Sequence, residues 1–270
     1  MIRIGVVAVV RHFIIISNDY LRRSRIALDI VEEDEGYTDH IGKIISEIME
    51  KCDGEAPFST HSILALDGEW ESVEKSDPYF KNVVVVKDYK EFMDRIMENR
   101  KLKGIEVGTY ILNKLVCTHL KLEKLCYLCY ADYLCDTRKK YGIEKKLFED
   151  DIYAFKLGPV VETVFEKYKY FGYENIGQNE PEENDTKNIK EERDQFKSPS
   201  ECRILASENG WEKVRSINET LEKYGKLPVY DLVDIVHRAN TPWDLVYKEG
   251  ENFTKISDGE ILKYHCNERP

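Results

Sequence analysis

Apolar positions follow two different rhythms along this chain. Before about position 100 they gather in short β-branched runs, at positions 4–10, 13–16, 63–66 and 83–86, which predict strands. Between these runs Ile41, Ile44, Ile45, Ile48 and Met49 recur at helical spacing. A further helix is expected directly after the 83–86 run. Asp88 is its cap, Glu91 follows as in a capping box, and Tyr89, Phe92, Met93 and Ile96 form its apolar face. Positions 25–31 fit two patterns. Ile26, Leu28 and Ile30 alternate as in a strand, whereas Leu21, Arg25, Leu28 and Val31 also satisfy a helix; a hairpin turning near Ser17-Asn18-Asp19 is expected.

Beyond a polar, basic break at 99–104 the spacing becomes helical. Val107, Tyr110, Ile111, Lys114 and Leu115 predict one amphipathic helix, and Leu122, Leu125, Cys126, Cys129 and Tyr133 a second. Val160, Val164, Phe165, Tyr168 and Phe171 predict a third, with Pro159 at its first helical position. Val214, Ile217, Leu221 and Tyr224 predict another, ended by Gly225, and Pro228 opens the next, which carries Leu232, Val233, Ile235 and Val236. Thr241-Pro242-Trp243 supplies a capping hydroxyl and a first-turn proline. Ser257-Asp258-Gly259-Glu260 reads as a capping box for a last helix bearing Ile261 and Tyr264. The pattern vanishes at 177–200, where residues 178–194 carry seven acids and three bases, as a flexible solvated insertion would. The expected fold class is α+β: a small α/β domain at 1–103 and a mainly α-helical domain at 104–270.

Composition narrows the functional classes. With 42% apolar and 11% aromatic residues the chain has ample core material, and its net charge of −11 argues against nucleic-acid or anionic-membrane partners. No segment approaches the roughly 20 apolar residues that span a bilayer. Arg11 and His12 interrupt the early apolar run, and no small-residue cleavage site follows it. The seven cysteines, odd in number and irregularly spaced, predict reduced thiols in a cytoplasmic protein.

Chemical motifs are sparse. Cys126 and Cys129, with Cys117, His119 and Cys135 nearby, offer a zinc or redox reading. Both central thiols fall mid-helix on an apolar face, however, where cysteine packs as a small hydrophobe, so no metal is expected. The histidines show no ligand spacing, and there is no phosphate loop, dinucleotide fingerprint or nucleophile elbow. No cofactor or catalytic group is therefore assigned, and a binding protein is expected rather than an enzyme. The alternative is an enzyme or small-ligand-binding protein with its site at strand ends of the N-terminal part, near Ser17, Asp67 or Lys87.

Three clusters in the helical part stand out. In Lys121-Leu122-Glu123-Lys124-Leu125-Cys126-Tyr127 the two lysines share a helix face opposite Leu122 and Leu125. Phe155-Lys156-Leu157-Gly158-Pro159-Val160 contains a Gly-Pro step that ends an extended segment and starts a helix. His237-Arg238-Ala239-Asn240-Thr241-Pro242-Trp243 makes a corner between helices, with an aromatic to lock it.

In this order, and with the closing Ile256-Ser257 and Ile261, the clusters resemble the Panacea antitoxin domain, also called SocA-like or phage-associated GepA-like. The resemblance covers about 106–265. Thr241 departs from it, standing where family members often carry glycine, as does the acidic insertion. The resemblance implies a bacterial antitoxin that neutralises a cognate toxin by direct contact, or in some members delivers it to a protease. In the family a variable region added to the common domain helps choose the toxin, a role that 1–103 could play here, although the resemblance itself does not extend to that region. Lys121, Lys124, Tyr127 and His237 are then the expected partner-binding residues, the first three forming an exposed polar surface. Leu122, Leu125, Gly158, Pro159, Pro242 and Trp243 are expected to hold the fold.

Overall fold

The computed structural model describes residues 9–31, 37–176, 198–251 and 253–266. The chain is a mixed α+β protein that divides into two compact units, Met1–Arg100 and Lys101–Pro270.

The first unit is built on one sheet. Its strands are β1 (Val10–Asp19), β2 (Ser24–Val31), β3 (Ser59–Ala65) and β4 (Val83–Val86), in the order β3-β1-β2-β4. The β1 strand pairs antiparallel with β2 and β3, whereas β4 joins β2 in parallel. Three helices complete the unit: α1 (Tyr37–Lys51), α2 (Trp70–Ser76) and α3 (Tyr89–Asn99). Both faces of the sheet are covered. Ile15, Ile26 and Leu28 pack with Ile44, Ile48, Phe92 and Ile96 on one side, while Ile14, Ile16 and Ala27 meet Val73 and Phe80 on the other. Two-sided burial is why the 13–16 run is apolar at every position instead of alternating.

Several expectations are refined here. Of the predicted 4–10 strand, residues 4–8 lie outside the described residues. Val10 opens β1, which continues through Arg11 and His12 as a single strand. The β1–β2 hairpin turns at residues 20–23, not at Ser17-Asn18-Asp19, which still pair with Ile26, Arg25 and Ser24. Short α2 and the 3-10 turn Pro78–Phe80 have too few apolar positions to show a helical period. His12 gives its polar signal a purpose that the sequence hides. It is fully buried, with Nδ1 2.9 Å from an Asp29 carboxylate oxygen and Nε2 2.9 Å from the Asp67 carbonyl. Burial raises the Asp29 pKa, and the His12 hydrogen bond opposes that shift.

The second unit wraps shorter elements round one long helix. In order these are α4 (Gly104–Lys114), β5 (Cys117–Thr118), α5 (His119–Tyr141), β6 (Ile152–Phe155), β7 (Gly158–Val161), α6 (Glu162–Tyr168) and β8 (Asn175–Ile176). There follow α7 (Pro199–Leu205), α8 (Gly210–Tyr224), α9 (Val229–Val236), α10 (Pro242–Val246), β9 (Thr254–Lys255), α11 (Asp258–Glu260) and a π turn, Ile261–His265. The predicted acidic insertion falls largely on 177–197, outside the described residues; α7 begins within its expected end, capped by Ser198. No helix among the described residues is long and apolar enough to cross a membrane.

Helix α5 starts at Thr118, whose hydroxyl accepts the Lys121 N–H, and stops at Gly142, whose φ of +72° suits glycine. Residues 122–135 are buried without exception. A helix enclosed on all sides has no solvent face, so the expected polar lysine face is absent. The Ser257–Glu260 capping box forms as expected, with Glu260 N–H donating to Ser257 Oγ (3.2 Å) and Ser257 N–H to Glu260 Oε2 (2.7 Å).

Two further corrections concern this unit. Pro159 and Val160 belong to β7, and α6 begins only at Glu162, so the Gly-Pro step opens the second strand of a hairpin. Cys135 and Cys266 form a disulfide, which overturns the expectation of reduced thiols throughout. Their separation of 131 residues placed the partner beyond any local spacing pattern.

Candidate functional site

The two lysines in the first turns of α5, Lys121 and Lys124, point inward and grip backbone carbonyls. Lys121 Nζ donates to the Leu227 carbonyl (2.8 Å), just ahead of α9, and Lys124 Nζ donates to the Pro159 carbonyl (2.7 Å). Between them Glu123 accepts the Val161 N–H at Oε2 (2.8 Å) and meets His119 Nε2 at Oε1 (3.0 Å). The β7 strand pairs with β6 on one side only, in the order β7-β6-β9. Its other edge would leave peptide groups unpaired in the interior. A lysine and a glutamate one residue apart on α5 satisfy that edge where a further strand would otherwise be needed.

The hairpin fits against α5 because residue 158 is glycine. Its φ is +103°, and a Cβ there would stand 2.8 Å from Val236 Cγ2 and 3.0 Å from Lys124 Cε. Trp243 closes the cluster from the opposite side. Its Nε1 donates to the Phe155 carbonyl (2.7 Å), and its ring lies between His237 (3.7 Å, 12°) and Tyr247 (4.6 Å, 15°). Thr241 caps α10 by accepting the Asp244 N–H, and its hydroxyl donates to the Val236 carbonyl (2.8 Å). Blocks far apart in sequence thus meet in one cluster: the α5 lysines, the Gly-Pro hairpin and the His-to-Trp corner.

Burial dominates the electrostatics. Desolvation pulls the Lys124 ammonium down from 10.5 to about 7, partly opposed by the neighbouring Glu123 charge. The same desolvation raises Glu123, against the hydrogen bonds from His119 and Val161. His237 is lowered, by burial first and by the Lys124 charge second. Its Nε2 is buried without a hydrogen-bond partner. A depressed lysine is a familiar nucleophile. Lys124, however, is fully buried and engaged with a carbonyl, so what it does in this state is hold β7.

The sequence candidates therefore divide. Leu122 and Leu125 are core residues at 0% exposure, and Pro242 and Trp243 are buried in the corner. Lys121 and His237 are half-buried. Lys124 and Tyr127, at 0% and 2% exposure, are interior, so the expected exposed Lys121–Lys124–Tyr127 surface does not exist. Cys126 and Cys129 are buried side chains of α5 whose thiol pKa values burial raises. Among the described residues no group of His, Cys, Asp and Glu is arranged to hold a metal. In the first unit Ser17 donates to the Pro57 carbonyl (2.6 Å), Asp67 accepts from Ser72 Oγ and the Glu69 N–H, and Lys87 is exposed.

Tyr247 was not singled out in the sequence; Glu123 and Phe155 were named only as members of their blocks, and His119 only as a neighbour in a zinc reading. Only Glu123 carried a usable signal: a carboxylate beside a lysine in a helix flanked by apolar residues on every side. Replacing Gly158 by alanine is expected to cost about 2–3 kcal/mol, combining a rarely adopted φ with the Val236 and Lys124 contacts. Urea unfolding reads this directly, and a variant within about 0.5 kcal/mol of the parent would show that the hairpin tolerates a side chain there.

Comparison with known proteins covers part of this cluster. Residues 124–244 match the family model described as antitoxin SocA-like, Panacea domain. The match begins at Lys124 and ends one residue beyond Trp243, a narrower span than 106–265, and it contains the Gly-Pro hairpin and the corner. No curated protein and no solved structure matches the chain.

Proposed function

We propose that this chain is the antitoxin of a toxin–antitoxin pair and neutralises its toxin by direct protein–protein binding, without catalysis. The observation that carries the reading is the coincidence of the family match with the packed cluster. Within the matched span, Lys124 and Trp243 join α5, the hairpin and the corner into one scaffold. Since Lys124 and Tyr127 are interior, toxin contact falls to side chains that remain outside. Tyr170 and Tyr173 are 85% and 91% exposed, and exposed tyrosines are frequent interface anchors. Lys121 and His237 would act on binding through the scaffold and only at their partly exposed edges. The N-terminal unit, with its own two-sided core, is suited to a separate role in choosing the partner.

The test is co-expression. A small protein encoded beside this one, lethal when expressed alone, should become harmless with the full chain present. Tyr170→Ala with Tyr173→Ala is expected to weaken rescue at unchanged thermal stability. Full rescue by this double variant would move the contact elsewhere, and the absence of any lethal partner would remove the antitoxin reading. Toxin half-life in the rescued cells separates the two modes: an unchanged half-life indicates sequestration, a shortened one delivery to a protease.

A further inference from the structure

The Cys135–Cys266 disulfide lies outside everything the antitoxin reading uses, since the pair has one member past the matched 124–244 span. It joins the later part of α5 to the residue after the π turn. Cys135 is 3% exposed and Cys266 is half-buried. An open cleft of about 540 Å³ passes over the bond, lined by both cysteines together with Arg138, Lys139, Lys263 and Glu144. Arg138 and Lys139 stand three and four residues beyond Cys135, on the same face of α5. Lys263 approaches from the π turn. Among the described residues the cleft thus sets Arg138, Lys139 and Lys263 beside Glu144, which lies 3.4 Å from Arg138.

Such surroundings suit thiol–disulfide exchange. Cations stabilise the departing thiolate and concentrate an anionic attacking thiol. The segment that the bond secures also has other anchors on α5. His265 Nε2 lies 2.9 Å from Asp132 Oδ1, Asp132 Oδ2 accepts from Thr220 Oγ1 (3.0 Å), and Tyr130 OH donates to Asp258 Oδ1 (2.7 Å). Breaking the disulfide would therefore loosen the C-terminal segment without dismantling the core.

We propose that Cys135–Cys266 is a redox switch addressed by a small carboxylate-bearing thiol of the glutathione class, which the Arg138–Lys139–Lys263 cleft attracts. The thiolate attacks Sγ of Cys266, the more exposed of the two residues. The S–S bond breaks, Cys135 leaves as a thiolate beside Arg138 and Lys139, and Cys266 carries a mixed disulfide. A second thiolate attacks the small-molecule sulfur of that mixed disulfide and releases Cys266. Two small thiols are oxidised to one disulfide, the protein bond is reduced to two cysteines, and water supplies the protons that the thiolates take up. Reduction loosens the π turn on α5, leaving the His265–Asp132 contact, and reoxidation by the small-molecule disulfide tightens it again.

The experiment uses the full oxidised chain, treated with glutathione or with uncharged 2-mercaptoethanol at matched thiolate concentration. Differential alkylation follows Cys135 and Cys266, and amide exchange follows residues 261–266. Reduction is expected to lower Tm by roughly 5–15 °C, because a long cross-linked loop is opened. Exchange protection at 261–266 should fall about tenfold, as local opening becomes easier. Arg138→Gln with Lys139→Gln and Lys263→Gln should slow glutathione by about three- to tenfold and leave the uncharged thiol within about twofold. Cys266→Ser should behave as the reduced parent and ignore both thiols. Equal rates for the parent and the charge variant with glutathione would overturn the cleft's role. A bond that survives millimolar glutathione, or unchanged protection at 261–266 after complete reduction, would overturn the switch.

Discussion

Replacing Trp243 by alanine is expected to destabilise the second unit by about 3–5 kcal/mol, a large part of the total stability of an ordinary domain. Three losses combine. The indole is 9% exposed, so most of its apolar area returns to water. The stack of His237, Trp243 and Tyr247 loses its middle ring. The Phe155 carbonyl also loses its indole donor, at the end of β6 where the hairpin turns towards Gly158. Trp243→Phe separates these contributions. It retains an aromatic ring but no N–H, and should cost about 1–2 kcal/mol through the lost hydrogen bond and reduced packing. Urea unfolding midpoints at constant slope measure both variants. An alanine variant within about 1 kcal/mol of the parent would mean that the corner does not lock the hairpin.

Lys124 gives a second large effect, expressed as a dependence on pH. Its folded-state pKa of about 7 lies below its ordinary 10.5, so between those values the unfolded chain holds more of the proton. Stability contributed by this group therefore rises with pH through that window. The full penalty for burying the ammonium, at most about 5 kcal/mol, applies below pH 7 and is gone above about pH 10.5. Glu123 acts in the opposite sense. Its pKa is raised, so its contribution is whole below its ordinary 4.5 and is lost as pH climbs through the folded value.

Lys124→Met removes the buried ammonium and leaves the Pro159 carbonyl without its donor, which costs about 1–3 kcal/mol. The variant should equal or exceed the parent at pH 6 and fall below it at pH 10. Unfolding both proteins at pH 6, 8 and 10 gives the result as a difference, in which groups common to both cancel. Parallel curves would mean that Lys124 keeps an ordinary pKa in the folded chain.

Much of the local structure was legible in the order of residues. The Ser257–Glu260 capping box, the Thr241 and Asp88 caps, the 83–86 strand and the helical spacing from 214 to 224 all form as read. These are short-range devices, in which a side chain meets a backbone group a few residues away. The failures share the opposite property. Lys121 and Lys124 look like a solvated pair because their face of α5 contains charged residues, but whether a lysine is solvated depends on what lies above it. Pro159 fits a helix N-terminus and an edge strand equally well, and the choice depends on the β6 partner and on Glu123 and Lys124 across the other edge.

The sequence by itself determined an α+β chain with a strand-rich beginning, a helical remainder and ordered Lys-Leu, Gly-Pro and Pro-Trp blocks, because periodicity, caps and motif order are properties of neighbours. Only the tertiary structure decided that these blocks form one interior cluster, that Lys124 is a buried donor, and that Cys135 finds Cys266. Each of those outcomes depends on groups dozens of residues apart being desolvated together. Local spacing does not encode the energy of that shared burial.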